Sequence, residues 1–167
     1  AACLTRTGKH DSALIMLGRL EYLLKPPALP ESAPLWSQLY AAQAAAAFGR
    51  QDIEKTLYYA DKDLAHRRKH LGPEHPFTAL AHQSVGAYLL ASGRLDEAEV
   101  QLQEAVTGLK SLGGMALAQA ALNLGGVYIE QRRYGRATPV LNMALKAALS
   151  KLDSLNPALV DYYHNLG

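Results

Sequence analysis

"LGGVYIEQRRYGRATPVLNMAL", residues 124–145, reads as helix in all but its glycines and its proline. Its apolar residues recur at helical spacing. Yet Gly125 and Gly126 stand in mid-run and Pro139 comes early in the next run, and each costs an isolated helix stability. A helix keeps such residues when packing returns more than propensity loses. The same residues should then recur wherever the same packing recurs.

They do recur. "GAYLLASGRLDEAEVQLQEAV", residues 86–106, aligns without a gap on the stretch from Gly125, so that Gly86, Ala98, Leu102 and Ala105 fall on Gly125, Ala137, Leu141 and Ala144, each 39 residues apart. Upstream, Ala13, Leu17 and Leu20 keep the offsets of Ala98, Leu102 and Ala105, with Gly8 five residues before as Gly93 is before Ala98, and Ile53, Leu57 and Ala60 give a degenerate copy with Gly49 one place out of step. Downstream, "NPALVDYYHNLG" repeats "HPFTALAHQSVG", with Pro157 ten residues before Gly167 as Pro76 is before Gly86. A sustained internal period of this kind marks a repeat architecture.

Each unit reads as two helices. First helices are expected from about Pro34, Pro76, Met115 and Pro157, since proline suits a first turn whose N–H has no partner, and Asn156 is a plausible N-cap. Second helices are expected over about 10–25, 52–70, 95–112 and 134–152. Gly8, Gly49 and Gly93 are placed in the turns before the first three, where a left-handed residue ends a helix, and Arg132 replaces that glycine in the last, predicting a strained turn. Pro139 near the first turns of its helix should cost little.

With Gly125 set at position 8, Leu124 takes position 7, Tyr128 position 11, Ala137 position 20, Leu141 position 24 and Ala144 position 27. Tyr163, Leu166 and Gly167 fill positions 4, 7 and 8 of the final unit. This resembles the tetratricopeptide repeat. The spacing of 39 or more, "LGPEHP" before one unit and a proline at 139 look like the longer repeats of kinesin light chains. The resemblance implies an all-α, right-handed superhelical solenoid of antiparallel helix pairs. It is weakest from Pro26 to Ala60, around Trp36 and "PPALPESAP". The expected organisation is one array: a partial repeat at 1–25, repeats at about 34–72, 76–112 and 115–152, and a partial repeat at 157–167. Because Ala1 and Gly167 both fall at position 8, the chain is expected to be a piece of a longer array. The small residues at positions 8, 20 and 27 let helix backbones cross closely, which answers why the glycines are kept.

At 167 residues, with nearly half of them apolar, the chain can bury a sizeable core. Its 17 basic and 15 acidic residues set up no field that would draw nucleic acid or an anionic membrane, and no apolar run is long enough to span a bilayer. Cys3 is the one cysteine, which excludes an internal disulfide framework and favours a reducing, intracellular, cytoplasmic setting.

No nucleophile sits in a catalytic context, and no phosphate-cradling glycine loop follows a strand; Gly113-Gly114 reads as a connector. His66 and His70 in "AHRRKH" have a spacing that could put two metal ligands on one helix face, but no third ligand lies near, and the basic run ends a helix where positive charge suits the dipole. Asp96, Glu97, Glu99 and Glu104 are expected to open or line the solvated outer face of one helix. No enzyme activity, cofactor or metal is expected.

In proteins of the resembled family, first helices line a concave groove in which positions 2, 5, 6, 9, 12 and 13 face bound peptides. Mapped here these are Leu80, Gln83, Ser84, Ala87, Leu90 and Ala91, then Gln119, Leu122, Asn123, Gly126, Ile129 and Glu130. Small Ala87 and Gly126 would leave room beside Leu80, Leu90, Leu122 and Ile129 for apolar anchors, with Gln83, Gln119 and Asn123 free to bond a peptide backbone. The competing reading has the same apolar residues simply packing between helices. Gln83 and Ala87, then Leu122 and Gly126, stand where carboxylate-gripping members carry lysine and asparagine, so no carboxylate clamp is expected. The resulting expectation is a protein-interaction scaffold that binds a protein or peptide segment. The alternative is self-association through stacked repeats; RNA binding is disfavoured because no basic inner face exists.

Overall fold

A computed structural model describes residues 2–24, 34–150 and 164. Its seven long helices are α1 (Ala2–Leu24), α2 (Leu35–Gly49), α3 (Ile53–Leu71), α4 (Pro76–Ala91), α5 (Leu95–Leu109), α6 (Gly114–Glu130) and α7 (Tyr134–Leu149), with no strand among the described residues. The linker at 26–33, the Asn156 cap and the partial repeat at 157–167 lie outside the described residues. The chain forms two compact units, Ala1–Pro73 and Glu74–Gly167.

In the second unit α4 pairs with α5 and α6 with α7, α5 packs on α6, and the first helices α4 and α6 also touch. The crossings are made by the glycines singled out above. A Cβ on Gly86 would lie 2.5 Å from Leu102 Cγ, and one on Gly125 would lie 2.7 Å from Leu141 Cγ. Ala98, Leu102 and Ala105 on α5 and Ala144 on α7 are wholly buried in consequence. Helix propensity lost at the glycines is offset by close packing of leucine against backbone. Pro139 stands inside α7 without ending it, on an exposed part of the helix.

His75 caps α4, its ring Nδ1 accepting the Phe77 N–H at 3.1 Å, and Pro76 occupies the first turn. Three turns share one geometry. Gln51, Gly93 and Arg132 have φ of 63°, 76° and 58°, and the following N–H donates five residues back: Asp52 to Ala47 at 3.1 Å, Arg94 to Leu89 at 3.0 Å, Arg133 to Tyr128 at 2.7 Å. This bonding satisfies carbonyls at the helix end and fixes the left-handed position. Arg132 thus takes a glycine's place with a side chain that the conformation disfavours, as expected.

Two expected turn glycines are elsewhere. Gly49 is the last residue of α2, and the left-handed residue is Gln51. Gly49 instead makes room for α1, since a Cβ there would lie 2.5 Å from His10 Nε2. Gly8 lies within α1, which runs through it; one glycine lowers helix stability by about 1 kcal/mol without breaking the helix.

The turn at Gln51 also corrects the register of α3. Measured from the three left-handed residues, Thr56, Ala60 and Asp63 correspond to Ala98, Leu102 and Ala105, in place of the expected Ile53, Leu57 and Ala60. Polar residues are tolerated there because each is satisfied. Thr56 Oγ1 donates to the Asp52 carbonyl at 2.8 Å, and Asp63 accepts from Arg67 Nε at 2.7 Å. Asp52 caps α3 by accepting the Lys55 N–H at 3.2 Å. Hydrogen bonds from the Lys55 side chain and backbone hold the Asp52 carboxyl below the usual carboxylate range.

Elsewhere in the first unit, Glu21 of α1 accepts from Gln43 Nε2 at 2.8 Å and faces Lys62 Nζ at 3.9 Å. Lys62 also lies over the rings of Tyr40 and Tyr58. Burial pulls the Lys62 ammonium down, but the Tyr58 hydrogen bond and the charges of Tyr58, Glu21 and Tyr40 outweigh it, so its pKa stands above the ordinary value.

Candidate functional site

Helices α4 and α6 lie side by side and carry all nine residues expected to meet a partner. Gln119 is exposed; Leu80, Gln83, Ala87, Leu90, Leu122, Asn123, Gly126 and Ile129 are half-buried. Their immediate neighbours in sequence face inward: Ala79, Val85 and Leu89 on α4, and Ala118, Ala121 and Leu124 on α6, are buried. The 3.6-residue period therefore divides each helix into a core stripe and an incompletely covered stripe.

The two stripes meet at Gly126 and Leu90. A Cβ on Gly126 would lie 3.7 Å from Leu90 Cδ2, an ordinary contact distance. Missing side-chain volume at Gly126 thus sits beside the Leu90 methyl. Gln119 Nε2 donates to Asn123 Oδ1 at 3.1 Å, one turn along the same stripe, and Ser84 Oγ donates to the Leu80 carbonyl at 3.2 Å. Of the twelve mapped positions on these two helices Glu130 alone carries charge, and it is exposed.

Leu80 and Leu122 behave differently from the rest. Both pack against the buried cluster that includes Ala79, Leu117 and Ala121, so they also belong to the wall of the core. For these two the packing reading is right in part.

In the first unit, the turn register maps the same stripe of α2 onto Gln38, Ala41, Ala45 and Phe48, each exposed or half-buried. Sequence reasoning passed over them because Gly49 drew the turn two residues early. The 42-residue spacing of Gln51 and Gly93 is the signal that locates them.

The acidic residues of α5 are only partly a solvated face. Glu97 pairs with Arg94 through bonds of 2.7 and 2.6 Å in solvent, and the Arg94 hydrogen bonds hold its carboxyl below the usual range. Asp96 accepts from Gln131 at 3.1 Å. Glu99 departs from expectation: its side chain is 14% exposed and binds Arg133 at 2.5 Å and Arg136 at 3.5 Å. Arg133 in turn lies over the Tyr128 ring, whose hydroxyl accepts from Gln103 at 3.0 Å. Glu99 ties α5 to the α6–α7 turn and the start of α7, and Gln103 ties it to Tyr128 of α6. Glu99 was expected on the solvated face because its arginine partners lie 34 and 37 residues away.

His66 bonds Ser37 Oγ through Nδ1 at 2.9 Å and its ring stands 4.6 Å from that of His70. Arg68, Lys69 and His70 fill the last turn of α3, where positive charge complements the dipole. Among the described residues no group of three or more His, Cys, Asp or Glu could hold a metal ion. No helix among them is long and apolar enough to cross a membrane.

No protein-family model matches the chain. Human tetratricopeptide repeat protein 19, mitochondrial, is 28% identical over 109 residues, which cover 65% of this chain and 28% of that protein. The chain thus spans little more than a quarter of that relative. Among solved structures, a Podospora anserina putative kinesin light chain with nearly identical TPR-like repeats superposes with a TM-score of 0.79 at 16% identity, over 99% of this chain and 80% of that one. BtubC (BKLC) from P. vanneervenii gives 0.74 at 14% identity, over 99% and 82%. Helix pairs, crossing glycines and left-handed turns agree with these likenesses: the chain has the all-α solenoid fold of tetratricopeptide-like repeats.

Proposed function

We propose that the chain is a non-enzymatic interaction scaffold that binds an extended or helical segment of another protein along the α4–α6 stripe. The observation that carries this reading is the notch where Gly126 leaves volume beside Leu90, on a stripe that is incompletely buried and nearly uncharged. Such a surface recognises an apolar side chain through shape and burial, while Gln83, Gln119 and Asn123 offer amide groups to a peptide backbone. A highly acidic or basic ligand gains nothing from it. The fold itself commonly serves as an interaction scaffold, which supports the coarser half of the proposal.

The test is capture of partners on the immobilised chain, peptide mapping of what is retained, and competition between the mapped peptide and the parent partner. A retained segment rich in spaced apolar residues, weakened by Leu90→Glu and Ile129→Glu, supports the reading. A segment whose binding ignores both substitutions sinks it. The cytoplasmic expectation gains nothing from the human relative, whose name says mitochondrial and speaks for that protein alone.

A further inference from the structure

One core residue of the first unit differs in kind from its counterparts. Eight residues before the left-handed residue of each turn stand Gln43, Val85 and Leu124, 1%, 3% and 3% exposed. An amide is thus buried on α2 where α4 and α6 carry aliphatic side chains. It is satisfied from one side: Gln43 Nε2 donates to Glu21 Oε2 of α1 at 2.8 Å, and Gln43 Oε1 has no hydrogen-bond partner among the described residues. Glu21 Oε1 in turn faces Lys62 Nζ of α3 at 3.9 Å. A polar seam therefore joins the three helices of this unit.

Glu21 stands on the less exposed stripe of α1. Ala13, Leu14, Leu17, Glu21 and Leu24 are half-buried, while Met16, Leu20 and Leu23 between them are exposed. Leu17 lies one turn before Glu21 and Leu24 one turn after it. Because leucine recurs at each turn, apolar packing changes little when α1 slides along α2 by one turn. The amide does discriminate. The slide puts Leu17 or Leu24 against Gln43 and strips the buried Nε2 of its acceptor, and an unsatisfied buried donor carries its full desolvation cost. Near the other end of α1, Asp11 and Arg50 pair with side chains 48% and 39% exposed, so that contact holds the register only weakly.

We propose that the Gln43–Glu21 hydrogen bond sets the register of α1 on α2, the buried amide selecting Glu21 from among the leucines of the same stripe. Lys62 balances the charge of the selected carboxylate. The peptide-binding reading has no part in this, since its residues lie on α4 and α6.

The test compares Glu21→Leu, Glu21→Gln and the pair Glu21→Leu with Gln43→Leu in the full chain, by thermal melting and by distances between spin labels. Labels go at Met16→Cys and at either Glu54→Cys or Arg68→Cys, exposed residues near the two ends of α3, in a Cys3→Ser background. With the native seam each label pair should give one distance. Glu21→Leu should lower the melting temperature by at least ~4 °C and add a second distance, shifted by up to ~5 Å, the rise of one helical turn, in at least one label pair. The doubly substituted chain, its seam now aliphatic as at Val85 and Leu124, should regain the lost stability yet keep the second distance. Glu21→Gln, whose side-chain carbonyl can accept from Gln43 Nε2, should hold the single native distance. A doubly substituted chain with native distances alone overturns the proposal, because packing would then set the register. So does a Glu21→Leu chain that melts as wild type does. Should the doubly substituted chain fail to fold, the two single variants decide: the same distances in Glu21→Leu as in Glu21→Gln overturn it.

Discussion

Gly125 lies directly against Leu141, so close that a Cβ on the glycine would come within 2.7 Å of the leucine Cγ, whereas one on adjacent Gly126 would meet nothing nearer than Leu90 Cδ2 at 3.7 Å. Two neighbouring glycines thus have opposite reasons to exist. Gly125→Ala should destabilise by about 1–3 kcal/mol through overpacking. Gly126→Ala should stabilise by about 0.5–1 kcal/mol through helix propensity. Urea denaturation of the two variants checks both signs; a loss at Gly126 as large as that at Gly125 would refute the assignment.

Arg132 carries φ of 58° where the equivalent turn of the preceding pair has Gly93. Arg132→Gly should relieve about 1 kcal/mol of left-handed strain and raise the melting temperature by roughly 2–4 °C. An unchanged or lower melting temperature would mean that the Arg132 side chain stabilises more than its backbone costs.

Glu99 is enclosed enough for its pairing with Arg133 to count, yet Arg133 reaches solvent once released. Glu99→Gln should therefore cost about 1 kcal/mol, and the loss should shrink in 1 M salt. A double-substitution cycle with Arg133→Met isolates the pair; a coupling of zero would show that the two groups meet without stabilising each other.

The Asp52 cap makes a prediction in pH. Its folded pKa is depressed below the ordinary value of 3.8. The cap's contribution is then fully present above the unfolded pKa and is lost as pH falls through the lower folded value. Asp52→Ala should melt below wild type at pH 7, and the gap should narrow as pH drops below about 4. A gap constant down to pH 2 would show that the carboxylate charge plays no part.

How much of this could be seen in the sequence depended on whether the cause was local. The Gly86 and Gly125 crossings were legible because a buried leucine sixteen residues on repeats with each glycine. The half-covered stripe of α4 and α6 was legible only through the family resemblance, which supplied the partner-facing positions that were mapped onto these two helices. Gln51 was not: a left-handed glutamine costs only about 1 kcal/mol, so nothing in composition marks it, and Gly49 offered a more obvious turn residue. Nor could Glu99 be read, since its arginine partners come together only when α5 packs near the next turn.

The most direct test of the proposed binding face fills the Gly126 notch. Affinity of the mapped partner peptide should be measured by calorimetry for wild type, Gly126→Leu and an exposed control on α7, Asn142→Leu, with melting temperatures taken on the same samples. The proposal predicts that Gly126→Leu melts no lower than wild type and binds at least ~10-fold more weakly, while Asn142→Leu binds as wild type does. Undiminished binding by a folded Gly126→Leu would contradict it.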